Sequence, residues 1–525
     1  MSDNSLFRHR GRLLAVAAFV SLFAVTGVAG AAKTIRSATA PVLTVGFTQT
    51  PISEDPAKDG GGWTTFRTLT NESLIRWTWN GTLQPGLATK WGYVKTPYGP
   101  NTGFQLTLRP NVKFSDGEPL NAAAVKKWLL YFPRGKGSFA GLLSIKSVAT
   151  VGDLTVRITL SKPNPDVPMV LTEIDNWGFV SAPKGVDNPK LMETQSFGVG
   201  PYTLDASQTV NGDHYTYVPN PNYYDQSQIH WSKVVVKVIP SASTMVQALK
   251  TGQIQAAWSG DVQTLAAIGK APGFKVVQAP TLSAGPSLDD VYGKLVPALA
   301  NLKVRQALNY AVDRKTIGTA LYGSFAVPND ELFTLDGTNT STSIAHYYPY
   351  DVAKAKALLA AAGYPNGFTL SVVSCSCFGT FGVPMDQAVA KYWAAIGVKV
   401  NITTETAVNQ WLQQLATKKF AVGDNVLGAS TMATAYSVYL TPGGVLNPFG
   451  LHDPTIDKWF SASLKSTNPK TYWQKITARM VTQAYQVPIA FIPSELWAAS
   501  DKVGGVRMSD GRPRAWSVEW YPTSG

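Results

Sequence analysis

Side chains that commonly carry out catalysis are sparse and widely separated in this chain of 525 residues. No histidine is followed by glutamate, so the helix of a zinc protease is absent from the sequence. There is also no Gly-x-Ser-x-Gly elbow and no Gly-Lys-Ser/Thr phosphate loop. The acidic pair Asp289-Asp290 is typical of a solvated turn or helix start. The sequence therefore offers none of these motifs in support of a hydrolase. The histidines are His9, His214, His230, His346 and His452.

The two cysteines, Cys375 and Cys377, are separated by one residue. A local bridge, a pair of metal ligands or two free thiols are all compatible with this spacing, although a bridge this short is rarely free of strain. We favour free thiols or a local bridge that shapes a loop, because no histidine or further cysteine lies nearby to complete a metal site. The sequence indicates no cofactor.

The N-terminal residues have the composition of an export signal. Arg8 to Arg12 is basic, Leu13 to Val28 is apolar, and small residues follow at Ala29 to Ala32. We expect cleavage near residue 32, although the apolar run is long enough for an uncleaved anchor. No cysteine follows the run, so we do not expect a lipoprotein.

The chain carries a formal net charge of +13, with 45 glycines, 34 prolines and many aromatic residues. The lysines and arginines are scattered, without the basic and aromatic clusters that are typical of nucleic-acid binding. We therefore expect no nucleic-acid partner. The low charged fraction of 15% favours a large folded core over disorder.

Strand and helix patterns alternate along the chain, which is typical of an α/β protein. Val304, Ala307, Leu308 and Ala311 recur with helical spacing and predict one face of a helix. Asp351 and Gly363 have the positions of an N-cap and a left-handed C-terminal residue around a second helix. The stretch Leu69–Trp77 also predicts a helix, and Leu43–Phe47, Phe104–Leu108 and Val234–Ile239 predict strands.

Several short motifs occur in a fixed order, and each is built mainly from turn-forming or apolar residues. They are Asp55-Pro56, Leu83–Ala88, Leu108–Gly117, Gly198–Tyr202, Asn220–Tyr223, Leu249–Ile254, Asn301–Arg314 and Tyr350–Pro365. In this order they resemble the motifs of the extracytoplasmic solute-binding proteins of ABC importers, in the dipeptide/oligopeptide/nickel class known as family 5. The resemblance covers almost the whole chain after the leader.

The resemblance implies a two-lobed periplasmic-binding-protein fold of type II, in the large peptide-binding class. Lobe one would comprise residues 33–282, with an extra subdomain at about 66–190. Lobe two would comprise residues 283–487, and residues 488–525 would return to lobe one. The boundaries are expectations carried over from the family.

The function that the resemblance implies is capture of a solute outside the cytoplasm and its delivery to a membrane permease. The partners would be a small-molecule or peptide solute and the transmembrane subunits of an ABC permease, and the protein would be a monomer. It would reside in the periplasm or cell envelope, or be secreted. The alternatives are a secreted hydrolase and a ligand sensor that uses the same cleft.

Peptide-binding relatives commonly use a lobe-two aspartate for the α-amino group of the peptide. Here residues 425–452 contain no charged Asp, Glu, Lys or Arg, and Asp424 does not obviously match that position. An α-amino group buried without a counter-charge is costly, so we expect a neutral, aromatic or sugar-like solute over a simple dipeptide. Aromatic rings and neutral polar groups suit such a solute. The candidate contacts are Trp63, Trp258, Phe378, Phe381, Asn425, Ser430, Tyr436 and Tyr439.

Overall fold

The structure is a computed structural model that covers most of the chain beyond the leader. It describes residues 40–51, 53–58, 64–78, 82–137, 140–259, 261–278, 282–331, 344, 346–425, 432–493, 496–509, 512–515 and 519–523. The expected export signal at residues 1–32 lies outside these ranges, as do the candidate contacts Trp63 and Ser430.

Strands occur along the whole described chain. Those of the first half are β1 (Val42–Phe47), β2 (Ile75–Trp77), β3 (Leu83–Pro85), β4 (Ala88–Tyr93), β5 (Gly103–Leu108), β6 (Ile145–Val151), β7 (Thr155–Leu160), β8 (Tyr202–Leu204), β9 (His214–Pro219), β10 (Lys233–Val238), β11 (Ala256–Ser259) and β12 (Phe274–Val277). Those of the second half are β13 (Leu282–Leu288), β14 (Val327–Pro328), β15 (Thr369–Cys375), β16 (Lys399–Glu405), β17 (Val422–Asn425), β18 (Ala490–Ile492), β19 (Leu496–Ser500), β20 (Val503–Gly504), β21 (Met508–Ser509), β22 (Arg512–Ala515) and β23 (Tyr521–Pro522).

The α-helices are concentrated in the second half of the chain. They are α1 (Thr64–Thr70), α2 (Ala122–Tyr131), α3 (Val167–Val170), α4 (Pro183–Asp187), α5 (Ala242–Lys250), α6 (Val262–Ala266), α7 (Leu302–Tyr310), α8 (Arg314–Tyr322), α9 (Val352–Ala361), α10 (Val383–Ala394), α11 (Val408–Ala416), α12 (Met432–Ala435), α13 (Pro454–Leu464) and α14 (Lys470–Thr482).

Among the described residues, two large mixed sheets organise the fold. A seven-stranded sheet has the order β12-β19-β11-β1-β10-β9-β8, and a six-stranded sheet has the order β14-β18-β13-β17-β15-β16. The chain passes from the first sheet to the second between β12 and β13, and it returns between β18 and β19. A separate four-stranded antiparallel sheet has the order β4-β5-β7-β6.

The seven-stranded sheet is covered by apolar side chains on both faces. Along β19, Trp497 belongs to the large core that also contains Leu43 and Phe47. Its neighbour Ala498 belongs to a second core, formed with residues of α5 and α6 such as Met245. Consecutive strand residues point to opposite faces, which is why neighbours in β19 contribute to different cores.

The glycines of the motif Gly198–Tyr202 allow a close approach between two backbone segments. A Cβ atom on Gly200 would lie 2.2 Å from the carbonyl carbon of Thr70, and one on Gly198 would lie 2.0 Å from Oδ1 of Asn71. No side chain fits at such distances. This motif therefore packs the chain against the end of α1, and its role is architectural.

The helix predicted for Leu69–Trp77 is wrong. Helix α1 ends at Thr70, and Ile75–Trp77 forms strand β2, which pairs with β3. The backbone N–H groups of Leu74 and Ile75 donate to the carbonyl oxygens of Gly178 and Leu171. These tertiary hydrogen bonds replace the bonds that a continued helix would have made.

Other local predictions are confirmed. The carboxylate of Asp351 accepts a hydrogen bond from Lys354 N at 2.8 Å and so caps α9. Gly363 has a φ of 89°, as a left-handed residue after the helix requires. The helical face predicted for Val304, Ala307 and their neighbours is buried in the core of the six-stranded sheet.

Polar residues of the Asn301–Arg314 motif connect α7 to the returning chain. The guanidinium of Arg305 donates to the carbonyl oxygens of Leu299 at 2.7 Å and Gln483 at 3.1 and 3.2 Å. Asn309 Nδ2 donates to Gln486 O at 3.0 Å. Both side chains are buried, so each hydrogen bond satisfies a group that water cannot reach.

Arg314, the last residue of the motif, is the most highly connected of these side chains. Its guanidinium lies 2.7 Å from Asp330 Oδ1 and donates to the carbonyl oxygens of Pro488 at 2.8 Å, Tyr348 at 3.0 Å and Asn309 at 3.1 Å. Asp330 in turn accepts from Tyr348 N at 3.0 Å. One buried cation therefore joins the start of α8 to the segment that leads into β18.

We expect Arg314→Met to destabilise the protein by about 3–5 kcal/mol, because it leaves the Asp330 carboxylate buried without its cation. The matched control is Lys315→Met on the adjacent, exposed position of the same helix, which should have little effect. Urea denaturation followed by circular dichroism measures both variants. Equal denaturation midpoints for the two would contradict the role assigned to Arg314.

Candidate ligand-binding site

Three parallel strands of the seven-stranded sheet end at the same edge. Strand β1 is parallel to both β10 and β11, so the carboxyl ends of all three strands meet there. Crevices outside the carboxyl ends of parallel strands are common ligand sites in α/β proteins. A cavity of about 470 Å³ lies at this edge. Its lining residues are Thr48, Gln49, Pro240, Ser241, Ala242, Ser243, Trp258, Ser259, Asp261 and Thr264.

Trp258, a contact predicted from the sequence, lies at this cavity. It occupies β11, is 7% exposed, and stacks on Phe47 with 4.4 Å between ring centroids. The next residue, Ser259, accepts a hydrogen bond from Asp261 N at 2.9 Å. The sheet thus holds the indole firmly at the cavity wall.

The polar side chains of the cavity are placed by helix caps. Ser241 Oγ accepts from Thr244 N at 3.3 Å at the start of α5, and it lies 2.8 Å from Ser243 Oγ. Asp261 Oδ1 accepts from Thr264 N at 3.0 Å at the start of α6. Capping directs these oxygens to the helix starts, beside the strand ends.

The six-stranded sheet has a comparable edge, because β15 and β17 are parallel. Phe378 and Phe381 follow β15 and stack on each other with 5.7 Å between ring centroids. Phe378 also meets the ring of Trp411 edge-on at 5.1 Å. Asn425 is the last residue of β17, at the same edge.

Cys375 and Cys377 form a disulfide bond with each other, which is the local bridge among the alternatives left by the sequence. The bridge lies where β15 passes into the Ser376–Phe381 turn. The N–H of Cys375 donates to Asp424 Oδ2 at 2.7 Å, and Ser374 Oγ lies 3.2 Å from Oδ1 of the same carboxylate. Asp424 is therefore buried, and both oxygens of its carboxylate are hydrogen-bonded to residues of β15.

Buried carboxyl groups cluster behind this edge. Burial raises the pKa of Asp289 to about 7, and it also raises the pKa values of Asp386 and Asp424. The proximity of Asp424 further raises the pKa of Asp386.

The prediction of a solvated turn at Asp289-Asp290 is wrong, since both residues are buried. The carboxylate of Asp290 accepts hydrogen bonds from three successive backbone N–H groups beginning at Lys294.

Tyr436 and Tyr439 do not join the other candidates. Tyr436 stacks on Phe460 at 3.7 Å, and its hydroxyl donates to Asp457 at 2.8 Å. Tyr439 is only 3% exposed and lies in the core beside Asp289. Of the described candidates, Trp258 alone lines the 470 Å³ cavity.

Sequence reasoning missed the hydroxyl and amide groups of the cavity. Ser241 and Asp261 could have been found, because each is a capping residue directly after a strand pattern. Thr48 and Gln49 carry no such signal; they reach the cavity because β1 lies between β10 and β11.

Within the described residues, side-chain hydrogen bonds at two places connect the parts of the fold that carry the two large sheets. Near the chain crossings, Gln263 Nε2 of α6 donates to Leu321 O of α8 at 2.5 Å. In the loop between β4 and β5, Asn101 Nδ2 donates to Leu464 O at 2.9 Å and Ser466 O at 3.0 Å, at the end of α13.

The sequence profile of the bacterial extracellular solute-binding proteins, family 5 (middle region), matches residues 82–445, which is more than half of the chain. The chain belongs to this family. It is similar to heme-binding protein A of Haemophilus influenzae, with 30% identity over 271 residues that cover 50% of this chain and 48% of the relative. It is also similar to the glutathione-binding protein GsiB of Salmonella typhimurium, with 28% identity over 312 residues, 58% of each protein. These matches thus span about half the length of the relatives.

Solved structures support the fold at larger coverage. HbpA2 of Haemophilus parasuis has a TM-score of 0.78 at 21% identity and covers 92% of this chain and 100% of its own. DppA of Helicobacter pylori, in complex with the peptide STSA, has a TM-score of 0.69 at 21% identity, with coverages of 92% and 98%. The two-lobed periplasmic-binding-protein fold inferred from the sequence is confirmed at this level.

Within the ranges that the structure covers, no group of three or more His, Cys, Asp or Glu is arranged to hold a metal ion. None of the helices in those ranges is both long and apolar enough to cross a membrane.

The raised pKa of Asp289 predicts a pH dependence of stability. Unfolding releases its proton between about pH 4 and 7, so its contribution to folding is complete at low pH and is lost as the pH rises. Asp289→Asn should therefore gain stability relative to wild type between pH 5 and 8, on the order of 1–4 kcal/mol. Urea denaturation at both pH values measures this difference.

The control for this measurement is Asp153→Asn, which removes a carboxylate from an exposed turn. Its stability should follow that of wild type at both pH values. If the curves of Asp289→Asn and wild type are parallel from pH 5 to 8, the assigned protonation of Asp289 is wrong.

Proposed function

We propose that this protein is the substrate-binding component of an ABC importer, which captures a solute between two lobes and delivers it to the permease. The observation that carries the proposal is the pair of parallel-strand edges, one on each large sheet, that present aromatic and hydroxyl side chains. Family membership adds a second, independent support. The family matches are to substrate-binding proteins, and we propose no catalytic step.

The proposed lobes follow the two sheets. Lobe one comprises residues 33–282, with the subdomain at about 66–190 that includes the four-stranded sheet. Lobe two begins at residue 283. The sequence placed its end at 487, but β18 at Ala490–Ile492 pairs with β13 and β14, so we move the boundary to follow Ile492.

The chain crosses between the two sheets twice, and two such connecting segments are typical of a hinge between lobes. Ligand contacts made by both lobes exist only when the lobes are close together. A ligand therefore stabilises the closed arrangement by the difference between its affinities for the two states. The permease would then recognise that arrangement.

The proposed ligand is a solute without a free α-amino group. Residues 425–452 contain no Asp, Glu, Lys or Arg. The carboxylate of Asp424 already accepts hydrogen bonds from Ser374 and Cys375 of β15. Named relatives bind glutathione and heme, so the ligand varies among related proteins. We propose Trp258, Phe378 and Phe381 as the leading contacts. Trp63, Asn425, Ser430, Tyr436 and Tyr439 remain predictions from the sequence.

We further propose that the mature protein is a periplasmic, envelope-associated or secreted monomer, released after cleavage near residue 32 and without lipid attachment. Support comes from the composition of the leader and from the extracellular character of the family. Its partners would be the solute and the transmembrane subunits of the permease, and nucleic acid would not be among them.

Native mass spectrometry of the mature protein, purified without denaturation, tests the proposal. We expect a discrete non-covalent adduct that disappears on unfolding and whose released solute raises the melting temperature when added back. Turnover of that solute by the pure protein would favour a hydrolase. No adduct, together with no stabilisation by any member of a broad solute panel, would contradict solute binding.

Asn101→Gly tests the proposed lobe closure. It removes the two hydrogen bonds to the end of α13 while keeping a residue that tolerates the φ of 55° at this position. We expect the lobes to separate more readily, with a shift of about tenfold in the open–closed equilibrium, from roughly 0.5–1.5 kcal/mol per hydrogen bond. Small-angle X-ray scattering would detect a larger radius of gyration.

The control is Asn111→Gly, an exposed asparagine with a φ of 59° in another turn of the same region. It makes the same chemical change at the same backbone conformation. Identical scattering curves for the Asn101 and Asn111 variants would show that the Asn101 contact has no part in lobe closure.

A further inference from the structure

The cavity at the ends of β1, β10 and β11 has a distinctive chemical composition. Among the residues that the structure describes, the lining side chains include five hydroxyl groups, one primary amide, one carboxylate and one indole, and none of them is Lys, Arg or His. Its volume of about 470 Å³ falls within the range of small-molecule sites, roughly 300–1,000 Å³. A ligand of this site must therefore supply many neutral hydrogen-bonding groups in a small volume.

An anionic ligand does not suit this lining. No Lys, Arg or His belongs to the described part of the lining, and its carboxylate, Asp261, would repel an anion. A purely apolar ligand also matches this lining poorly, because most of the lining side chains end in hydroxyl, amide or carboxylate groups and an apolar ligand offers them no hydrogen bond.

An amine is the main rival, since Asp261 could serve as its counter-charge. One feature disfavours it. One carboxylate oxygen of Asp261 already accepts the N–H of Thr264 at the start of α6, so the carboxylate is partly committed to the helix cap.

A polyhydroxyl group satisfies these constraints together. Its hydroxyls both donate and accept, so they can pair with the carboxylate of Asp261, the amide of Gln49 and the serine hydroxyls. Its C–H faces can pack on the indole of Trp258, which presents an apolar surface at the wall of the cavity. Neither match requires a charge on the ligand.

We propose that this cavity is the lobe-one subsite of the ligand cleft and that it binds a neutral polyhydroxyl group, such as a sugar ring or a linear polyol. The proposal rests on the solute-binding function proposed above and names the chemistry of its ligand. Helix α6 gives the subsite a direct connection to the other lobe. Asp261 and Thr264 line the cavity, and Gln263 between them donates to Leu321 O of α8.

The test is saturation-transfer NMR of the full mature protein with three probes: mannitol, glucose and the dipeptide Ala-Ala. We expect saturation transfer to at least one of the two polyhydroxyl probes and none to Ala-Ala. Asp261→Asn and Ser243→Ala should each weaken binding of the polyhydroxyl probe about tenfold or more. A tenfold loss corresponds to roughly 1.4 kcal/mol, about one hydrogen bond to a charged group.

The matched control is Asp225→Asn. Asp225 also caps a short helical turn of the same lobe, accepting from Ser227 N at 3.2 Å, but it does not line the cavity. This variant should bind the probe as wild type does. A variant that folds poorly has a lower melting temperature as well as weaker probe binding, whereas loss of a ligand contact weakens binding in the Asp261 and Ser243 variants at an unchanged melting temperature.

Two results would overturn the inference while leaving the proposed function intact. One is binding of Ala-Ala that is lost in Asp261→Asn, which would make the cavity an amine site. The other is a native adduct whose solute has no polyhydroxyl group, or whose binding is unchanged in Asp261→Asn and Ser243→Ala. The absence of both a native adduct and any probe binding would instead contradict the proposed function together with this inference.

Discussion

The structure depends most on one buried cation, the guanidinium of Arg314. It joins the beginning of α8 to Asp330, to Tyr348 and to the carbonyl of Pro488, residues that are remote in sequence. Pro488 leads directly into β18, the strand from which the chain crosses back to the seven-stranded sheet. The chain segment before that crossing is therefore held in place by hydrogen bonds of a buried guanidinium.

The family motifs now have physical explanations. Arg305 and Arg314 hold the returning chain, and Gly200 permits backbone contact with Thr70. Local signals in the sequence predicted the elements around them well, since a cap such as Asp351 acts within a few residues. The helix expected at Leu69–Trp77 failed because its backbone pairs with remote segments, which no local pattern reveals.

The site was less predictable than the fold. Trp258 was predicted as a contact because it lies beside a loop with glycine and serine, and the structure places it in the lining of the cavity. Thr48 was not, because it reaches Trp258 only through the pairing of β1 with β11, two strands that are more than 200 residues apart in the chain. Tyr439 followed the same compositional reasoning as Trp258, yet it is buried in the core beside Asp289. Composition identifies suitable side chains, and topology decides which of them meet.

The distribution of charge constrains the ligand further. Asp289, Asp386 and Asp424 lie behind the edge of the six-stranded sheet, where burial raises their pKa values and so favours their neutral forms. A cationic ligand at this edge would gain little electrostatic stabilisation from buried, neutral carboxyl groups, and it would lose its hydration on binding. On the seven-stranded sheet, Asp261 is the carboxylate among the described lining residues of the cavity, and one of its oxygens already accepts the N–H of Thr264. Both sheets therefore favour ligands whose polarity comes from neutral donors and acceptors, and hydroxyl groups provide both on the same atom.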